Sequence, residues 1–141
     1  NSETIIKSDY NISKAGKYLY RANDYYNKKS YEKAVKFYKK AAELGNPVAQ
    51  YCLGGCYYYG LGVPKSYSDA VAWYRKSADQ GNEWAQLQLA RCYERGEGVT
   101  KSLAEAKKWY AKSADQGNEW AKEQLDSLVM IENYLLKFGV K

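Results

Sequence analysis

The 141-residue sequence contains no histidine, one methionine, two prolines and three cysteines. Without an imidazole there is no histidine base to activate a serine or cysteine nucleophile, and no His-ligated metal site. Cys52, Cys56 and Cys92 cannot complete a four-ligand zinc site. Cys52 and Cys56, four apart on one predicted helix, have side-chain directions unsuited to a disulfide, so free and mostly buried thiols are expected. No apolar run approaches the roughly 20 residues that a membrane-spanning helix needs. The glycine-rich stretch from Gly60 to Pro64 follows a helical pattern and not a strand, so it does not read as a phosphate cradle. No paired carboxylates stand at catalytic spacing. The expectation is a protein that is not an enzyme and uses no cofactor and no metal.

What is abundant is aromatic: 16 tyrosines and four tryptophans. The net charge of +6 is almost all N-terminal, since residues 1–45 carry 10 basic and 5 acidic groups. Lys28, Lys29, Lys33, Lys36, Lys39 and Lys40 read as the wet side of a helix and the turn before it, not as a nucleic-acid site. The composition, 45% hydrophobic and 27% charged, is that of a globular chain. Its first residue is Asn, which points to processing or trimming. If a signal was cleaved, a bacterial periplasmic or exported protein is expected, and otherwise a cytoplasmic one. The many Lys, Tyr and Asn residues hint at a low-GC bacterial coding sequence.

Self-similarity decides the architecture. Residues 46–81 laid on 82–117 give 20 identities in 36 positions without a gap. The nine residues Ser77 to Ala85 recur intact as Ser113 to Ala121, opening a third copy at Asn118. Upstream, Ala34, Phe37, Tyr38, Lys40, Ala42 and Gly45 fall 36 before Ala70, Trp73, Tyr74, Lys76, Ala78 and Gly81. Within a unit, Asn46, Asn82 and Asn118 follow a glycine and precede an apolar-periodic run, as N-caps do, with Pro47 at the first helical position. Ala49, Leu53, Cys56 and Tyr57, repeated as Ala85, Leu89, Cys92 and Tyr93, form the stripe of a first helix that a neighbour must cover. That helix ends at Gly60 or Gly96, and Val63 or Val99 plugs the loop. Ser66 and Ser102, three residues before Asp69 and Glu105, cap a second helix whose Ala70, Trp73, Tyr74 and Ala78, or Ala106, Trp109, Tyr110 and Ala114, alternate small and large. Trp73 and Trp109 are expected in the core. Gly81 and Gly117 close it.

These glycines, alanines and the Trp-Tyr pair at fixed offsets resemble the Sel1-like repeat, a 36-residue relative of the tetratricopeptide repeat. The first unit departs from the pattern: Asp24 to Ser30 replaces the glycine loop, and Ala22, Tyr25, Ala34, Tyr38 and Ala41 resemble a tetratricopeptide repeat with its shorter turn. Some family members staple each hairpin with a cysteine pair, but the partner positions here hold Ser77, Ala78, Ser113 and Ala114. The resemblance implies an all-α fold, a right-handed superhelix of antiparallel helix hairpins, divided as an arm (1–13), a tetratricopeptide-like hairpin (14–45), two repeats (46–81 and 82–117) and a half repeat with capping helix (118–141). In the cap, Leu125, Leu128, Val129, Leu135 and Phe138 are expected to face the protein, and Lys122, Glu123, Asp126, Glu132 and Lys137 the water. Residues 1–13 are expected to form a fraying arm or a strap.

The resemblance further implies a protein-interaction module, monomeric alone, that holds a protein or peptide in the concave groove lined by the first helices. Matching groove positions gives Leu19, Asn23, Tyr26 and Asn27 in the first unit; Val48, Tyr51, Gly55, Tyr58 and Tyr59 in the second; Trp84, Leu87, Arg91, Glu94 and Arg95 in the third; and Trp120, Glu123 and Ser127 in the last helix. Packing residues repeat while these vary: Tyr58 and Tyr59 become Glu94 and Arg95, and Gly55 becomes Arg91. Tyr, Trp and Arg are the residue types of binding hot spots. Trp84 and Trp120 recur, so they either serve a ligand or seal adjacent units. Families with this repeat include bacterial adaptors and immunity proteins that neutralise a toxic effector by direct binding, which is the narrower alternative. A remoter alternative, an RNA-binding helical repeat, is disfavoured because the lysines lie on the second helix of unit one, away from the groove tyrosines.

Overall fold

The computed structural model describes residues 13–139, and those residues form seven helices with no strand. They are α1 (Lys14–Asn27), α2 (Tyr31–Glu43), α3 (Pro47–Tyr59), α4 (Tyr67–Asp79), α5 (Glu83–Arg95), α6 (Leu103–Asp115) and α7 (Glu119–Phe138). Residues 1–12, which hold nearly all of the expected arm, lie outside the described residues. Each helix packs on its neighbours in sequence, so the chain is an all-α solenoid of three hairpins followed by the long helix α7.

The caps are those that the repeat requires. Asn46, Asn82 and Asn118 accept the backbone N–H of Ala49, Ala85 and Ala121, each at 2.9 Å, at the heads of α3, α5 and α7. Ser66 and Ser102 accept from Asp69 and Glu105 at 3.2 Å to start α4 and α6. Leu53, Leu89, Cys56, Cys92, Tyr74, Tyr110 and the recurring alanines other than the partly buried Ala114 are buried and make up the core. Trp109 joins them, but its counterpart Trp73 is only half-buried, packed at the edge of the core with the Lys76 ammonium over its ring, 4.6 Å from the centroid. The expectation of a core residue therefore holds at one of the two tryptophans.

Two polar devices lock one unit onto the next. The Gly-x-Gly loop of each repeat rests on the start of the second helix of the unit before it. A methyl group on Gly62 would lie 2.4 Å from the carbonyl oxygen of Tyr31, and one on Gly98 at the same distance from that of Tyr67. The first unit has no described neighbour in front of it, and its loop shortens to Lys28, Lys29 and Ser30. Glutamines supply the second device. Buried Gln50 donates to the Ala42 carbonyl at the end of α2, and Gln80 donates both to the Gln50 side chain and to the Gly45 carbonyl. Gln86 and Gln116 repeat the set on Ala78 and Gly81. The Ala42 and Ala78 carbonyls, which already accept the Gly45 and Gly81 N–H groups, thereby gain a second donor, and the loop carbonyls of Gly45 and Gly81 gain one.

Lys29 is the one non-glycine residue with positive φ (61°) among the described residues. Substituting Lys29→Gly should raise stability by about 0.5–1 kcal/mol, because relief of the roughly 1–2 kcal/mol left-handed cost is partly offset by the extra chain entropy that glycine loses on folding. Denaturant titration would measure the gain, and a loss would mean that the Lys29 side chain supports the turn.

At the far end α7 departs from the expected cap. Glu132 stands where Gly60 and Gly96 end their helices, so α7 runs for 20 residues against 13 in α6. It overshoots its neighbour by roughly 10 Å at 1.5 Å per residue. Leu125 and Leu128 pack on the core as expected, whereas Val129 is exposed just before the overshoot and Leu135 and Phe138 are exposed on the overshooting turns. Glu132, expected only to face water, pairs with Lys107 of α6 at 2.6 Å. Lys122 and Asp126 replace Gln86 and Ala90 of the preceding unit, so α7 offers neither the glutamine ladder nor the small-residue seam to a further hairpin.

Candidate functional site

The first helices contribute residues, most of them non-repeating, to two cavities. One, of about 330 Å³, is lined by Asn23 and Tyr26 of α1, by Tyr51, Cys52, Gly55, Cys56 and Tyr59 of α3, by Gln88 of α5, and by Tyr38 and Tyr74 reaching in from α2 and α4. No charged residue lines it. The other, of about 760 Å³, is lined by Leu87, Arg91, Glu94 and Arg95 of α5, Lys101 and Leu103 next in the chain, Tyr110 of α6, and Trp120, Gln124, Leu128 and Ile131 of α7. Gln88 faces the first cavity and Arg91 the second, one helical turn apart on α5. The two cavities therefore flank a single helix.

The structure gives the expected groove residues different surroundings. Tyr26 and Tyr59 line the first cavity and are 39% and 64% exposed. Tyr51 is half-buried there, its ring 6.0 Å from that of Tyr74. Tyr58 lines neither cavity. It joins two units instead, donating its hydroxyl to Glu97 of the next loop at 2.8 Å and packing against Tyr59 and Tyr67. Burial and the Glu97 bond push the Tyr58 hydroxyl up to about 12. Leu87 is a core residue, 4% exposed, that shows only an edge to the second cavity. Asn27 and Glu123 are exposed outside both cavities. Trp84 and Trp120 meet edge to face at 5.6 Å and stay 40% and 62% exposed, so they bridge adjacent units and still offer a surface.

Three groove participants carry a signal that the repeat pattern conceals. Tyr38, Tyr74 and Tyr110 recur, so they read as packing, yet their rings lie in the core while their hydroxyls reach the groove face. Tyr38 donates to Asn23 at 2.7 Å and Tyr110 to Glu94 at 2.6 Å. Tyr74 has no hydrogen-bond partner among the described residues, because the position that holds Asn23 in unit one is Gly55 in unit two. A methyl at Gly55 would be 3.7 Å from the Tyr74 oxygen. Burial holds the Tyr74 and Tyr110 hydroxyls protonated well above the usual tyrosine range, with the Glu94 bond adding to the effect at Tyr110.

The cysteines are free thiols, and burial pushes Cys56 and Cys92 up to about 12, where a thiolate is not available at neutral pH. Among the described residues no group of three His, Cys, Asp or Glu side chains could hold a metal ion, and no helix is long and apolar enough to cross a membrane. The six lysines from Lys28 to Lys40 are all exposed. Two of them also lie over aromatic rings of the α1/α2 seam, Lys33 over Tyr25 and Lys40 over Tyr18 and Phe37.

The model of the Sel1 repeat matches residues 28–46, 47–82 and 85–118. Among solved structures, the chain is similar to a Sel1 repeat protein from Oxalobacter formigenes, at 37% identity and a TM-score of 0.75 over 78% of this chain and 45% of that one. It is similar too to c5321, a protective antigen of uropathogenic Escherichia coli strains with an SLR fold, at 39% identity and a TM-score of 0.68 over 77% of this chain and 22% of that one. Helicobacter pylori cysteine rich protein B matches at 29% identity and a TM-score of 0.63, over 66% of this chain and 70% of that one. The chain thus spans less than half the length of the first two relatives. Among proteins of curated function none matches the sequence.

Proposed function

Since the chain belongs to the Sel1 repeat family, whose members are generally protein-interaction modules, we propose that it binds a segment of another polypeptide along the concave groove of the solenoid and catalyses no reaction. The observation that carries this reading is the placement of two cavities on either side of α5, both lined by first-helix residues that change from unit to unit. Side chains that only hold the stack together have no reason to vary at equivalent positions. Tyr26, Tyr51, Tyr59 and Trp120 supply rigid aromatic surface that loses little entropy on binding, and the arginines supply planar donors.

Site-directed photocrosslinking tests it in cells of the source organism. A benzophenone side chain placed at Tyr59 or Trp120 should trap the same partner, while one at Lys36 or Lys76, exposed on second helices, should trap none. Adducts arising only from Lys36 or Lys76 would move the binding face to the outside of the solenoid and overturn the proposal.

A further inference from the structure

The groove wall has a surplus of donors. Two of its acceptors, Asn23 and Glu94, are already committed within the protein, to Tyr38 and Tyr110, and the amides of Gln88 and Gln124 carry a donor and an acceptor each, which leaves the surplus unchanged. Glu97, beside the wall, accepts from Tyr58 and faces Arg95 at 3.7 Å. The donors left over are the Tyr74 hydroxyl, whose side chain is 2% exposed and opens only toward the first cavity, and Arg91 and Lys101 in the second, which form no ion pair among the described residues. Around Arg91 the second cavity is walled by apolar Leu87, Leu128 and Ile131. A guanidinium in such a lining is only partly hydrated, and a carboxylate brought to it gains more than it would at an open surface.

We propose that the groove selects an acidic, apolar segment of its partner, with a carboxylate taken up by Arg91 beside the leucine wall and an acceptor atom of the same segment taken up by the Tyr74 hydroxyl. This rests on the reading of the groove as a polypeptide site and adds the chemistry of what it reads. The segment crosses α5 from the neutral tyrosine cavity to the cationic one, so its uncharged end lies toward α1 and its acid toward α7. Lys101, at the rim of the second cavity, strengthens the field without fixing geometry.

Selection of phage-displayed random dodecapeptides on the full chain provides the probe. Peptides recovered on the wild type should be enriched in Asp or Glu adjacent to Leu, Ile or Phe. Their synthetic versions should bind Arg91→Glu about tenfold or more weakly and Arg91→Lys within a few-fold of wild type. Tyr74→Phe should bind them several-fold more weakly with an unchanged melting curve, since the hydroxyl has no internal partner to lose; Tyr110→Phe, which breaks the Glu94 bond, should shift the melting curve instead. Selection on Arg91→Glu should yield basic peptides. Far-ultraviolet circular dichroism confirms that each variant is folded. Recovered peptides without acidic excess, or acidic peptides that bind Arg91→Glu unchanged, would overturn the inference while leaving the groove reading intact, provided that Tyr26→Ala/Tyr59→Ala abolishes their binding. Peptides indifferent to that double variant, or no peptide recovered, would overturn the groove reading and with it this one.

Discussion

Replacing Gly98 with alanine should destabilise the protein by about 3 kcal/mol or more, a large effect for a change of one methyl group. Two penalties combine. Gly98 has φ 73°, a conformation that costs an alanine roughly 1–2 kcal/mol. The added methyl would also lie 2.4 Å from the Tyr67 carbonyl oxygen and 2.9 Å from the Ser68 nitrogen, which are backbone atoms at the start of α4 and cannot swing aside. Either the loop lifts off α4 or α4 shifts, and both separate unit two from unit three. Gly81 is the internal control. Its φ is 93°, but no atom lies within 4 Å of where its methyl would stand. Gly81→Ala should therefore cost only the conformational part, roughly 1–2 kcal/mol. Equilibrium urea unfolding of the two variants measures the difference. Equal losses would mean that the loop does not buttress the preceding helix.

Truncating Tyr26 and Tyr59 together should reduce the affinity of a groove-selected peptide about 100-fold, equivalent to about 2.7 kcal/mol, with little change in stability. Both rings line the first cavity and both are exposed, so the native core loses little when they are removed. They flank it from α1 and α3, which makes them clamps on a bound segment and not parts of one wall. Tyr58 is a poor choice for the same experiment even though it neighbours Tyr59 and belongs to the same non-repeating set. Its bond to Glu97 ties α3 to the loop after α5, so Tyr58→Ala should lower stability and blur the binding result. Tyr20, 76% exposed on α1 and outside both cavities, is the aromatic control: Tyr20→Ala should leave affinity unchanged. Titration calorimetry reads affinity, and thermal melting reads stability. A loss of affinity matched by a loss of stability would remove the tyrosines from the binding surface.

Much of the architecture is legible because each unit solves the same packing problem with the same side chains. The Asn caps, the Ser caps and the buried alanines follow directly from residues that recur at 36-residue spacing. The glutamine ladder recurs as faithfully but is silent in a hydrophobic pattern, since Gln50 and Gln86 read as polar surface until the carbonyls they satisfy are in view. The glycine loop shows the opposite limit: its turn is readable from Gly96 and Gly98, but the reason it must be glycine lies in the preceding unit, at Tyr67. The overshoot of α7 hangs on one residue, Glu132, in the place of a terminating glycine. In the groove, variation between units singled out Tyr26, Tyr51, Tyr59 and Arg91, all of which line a cavity, whereas Trp120 lines one although it recurs as the counterpart of Trp84. The same criterion could not separate Tyr58 and Leu87, whose contacts are structural, and it passed over Tyr38, Tyr74 and Tyr110, which recur for their rings and reach the groove with their hydroxyls.

The central claim is a division of labour: recurring residues build the stack and non-recurring residues of the first helices grip a partner. A saturation substitution scan with two readouts, protease resistance for folding and retention of a selected peptide for binding, tests it most directly. The account predicts that substitutions at Ala85, Leu89, Gly98 and Tyr110 fail both readouts, while those at Tyr26, Tyr59 and Arg91 fail binding alone. Binding-only positions that cluster on the exposed faces of α2, α4 and α6, with the groove positions silent, would contradict it.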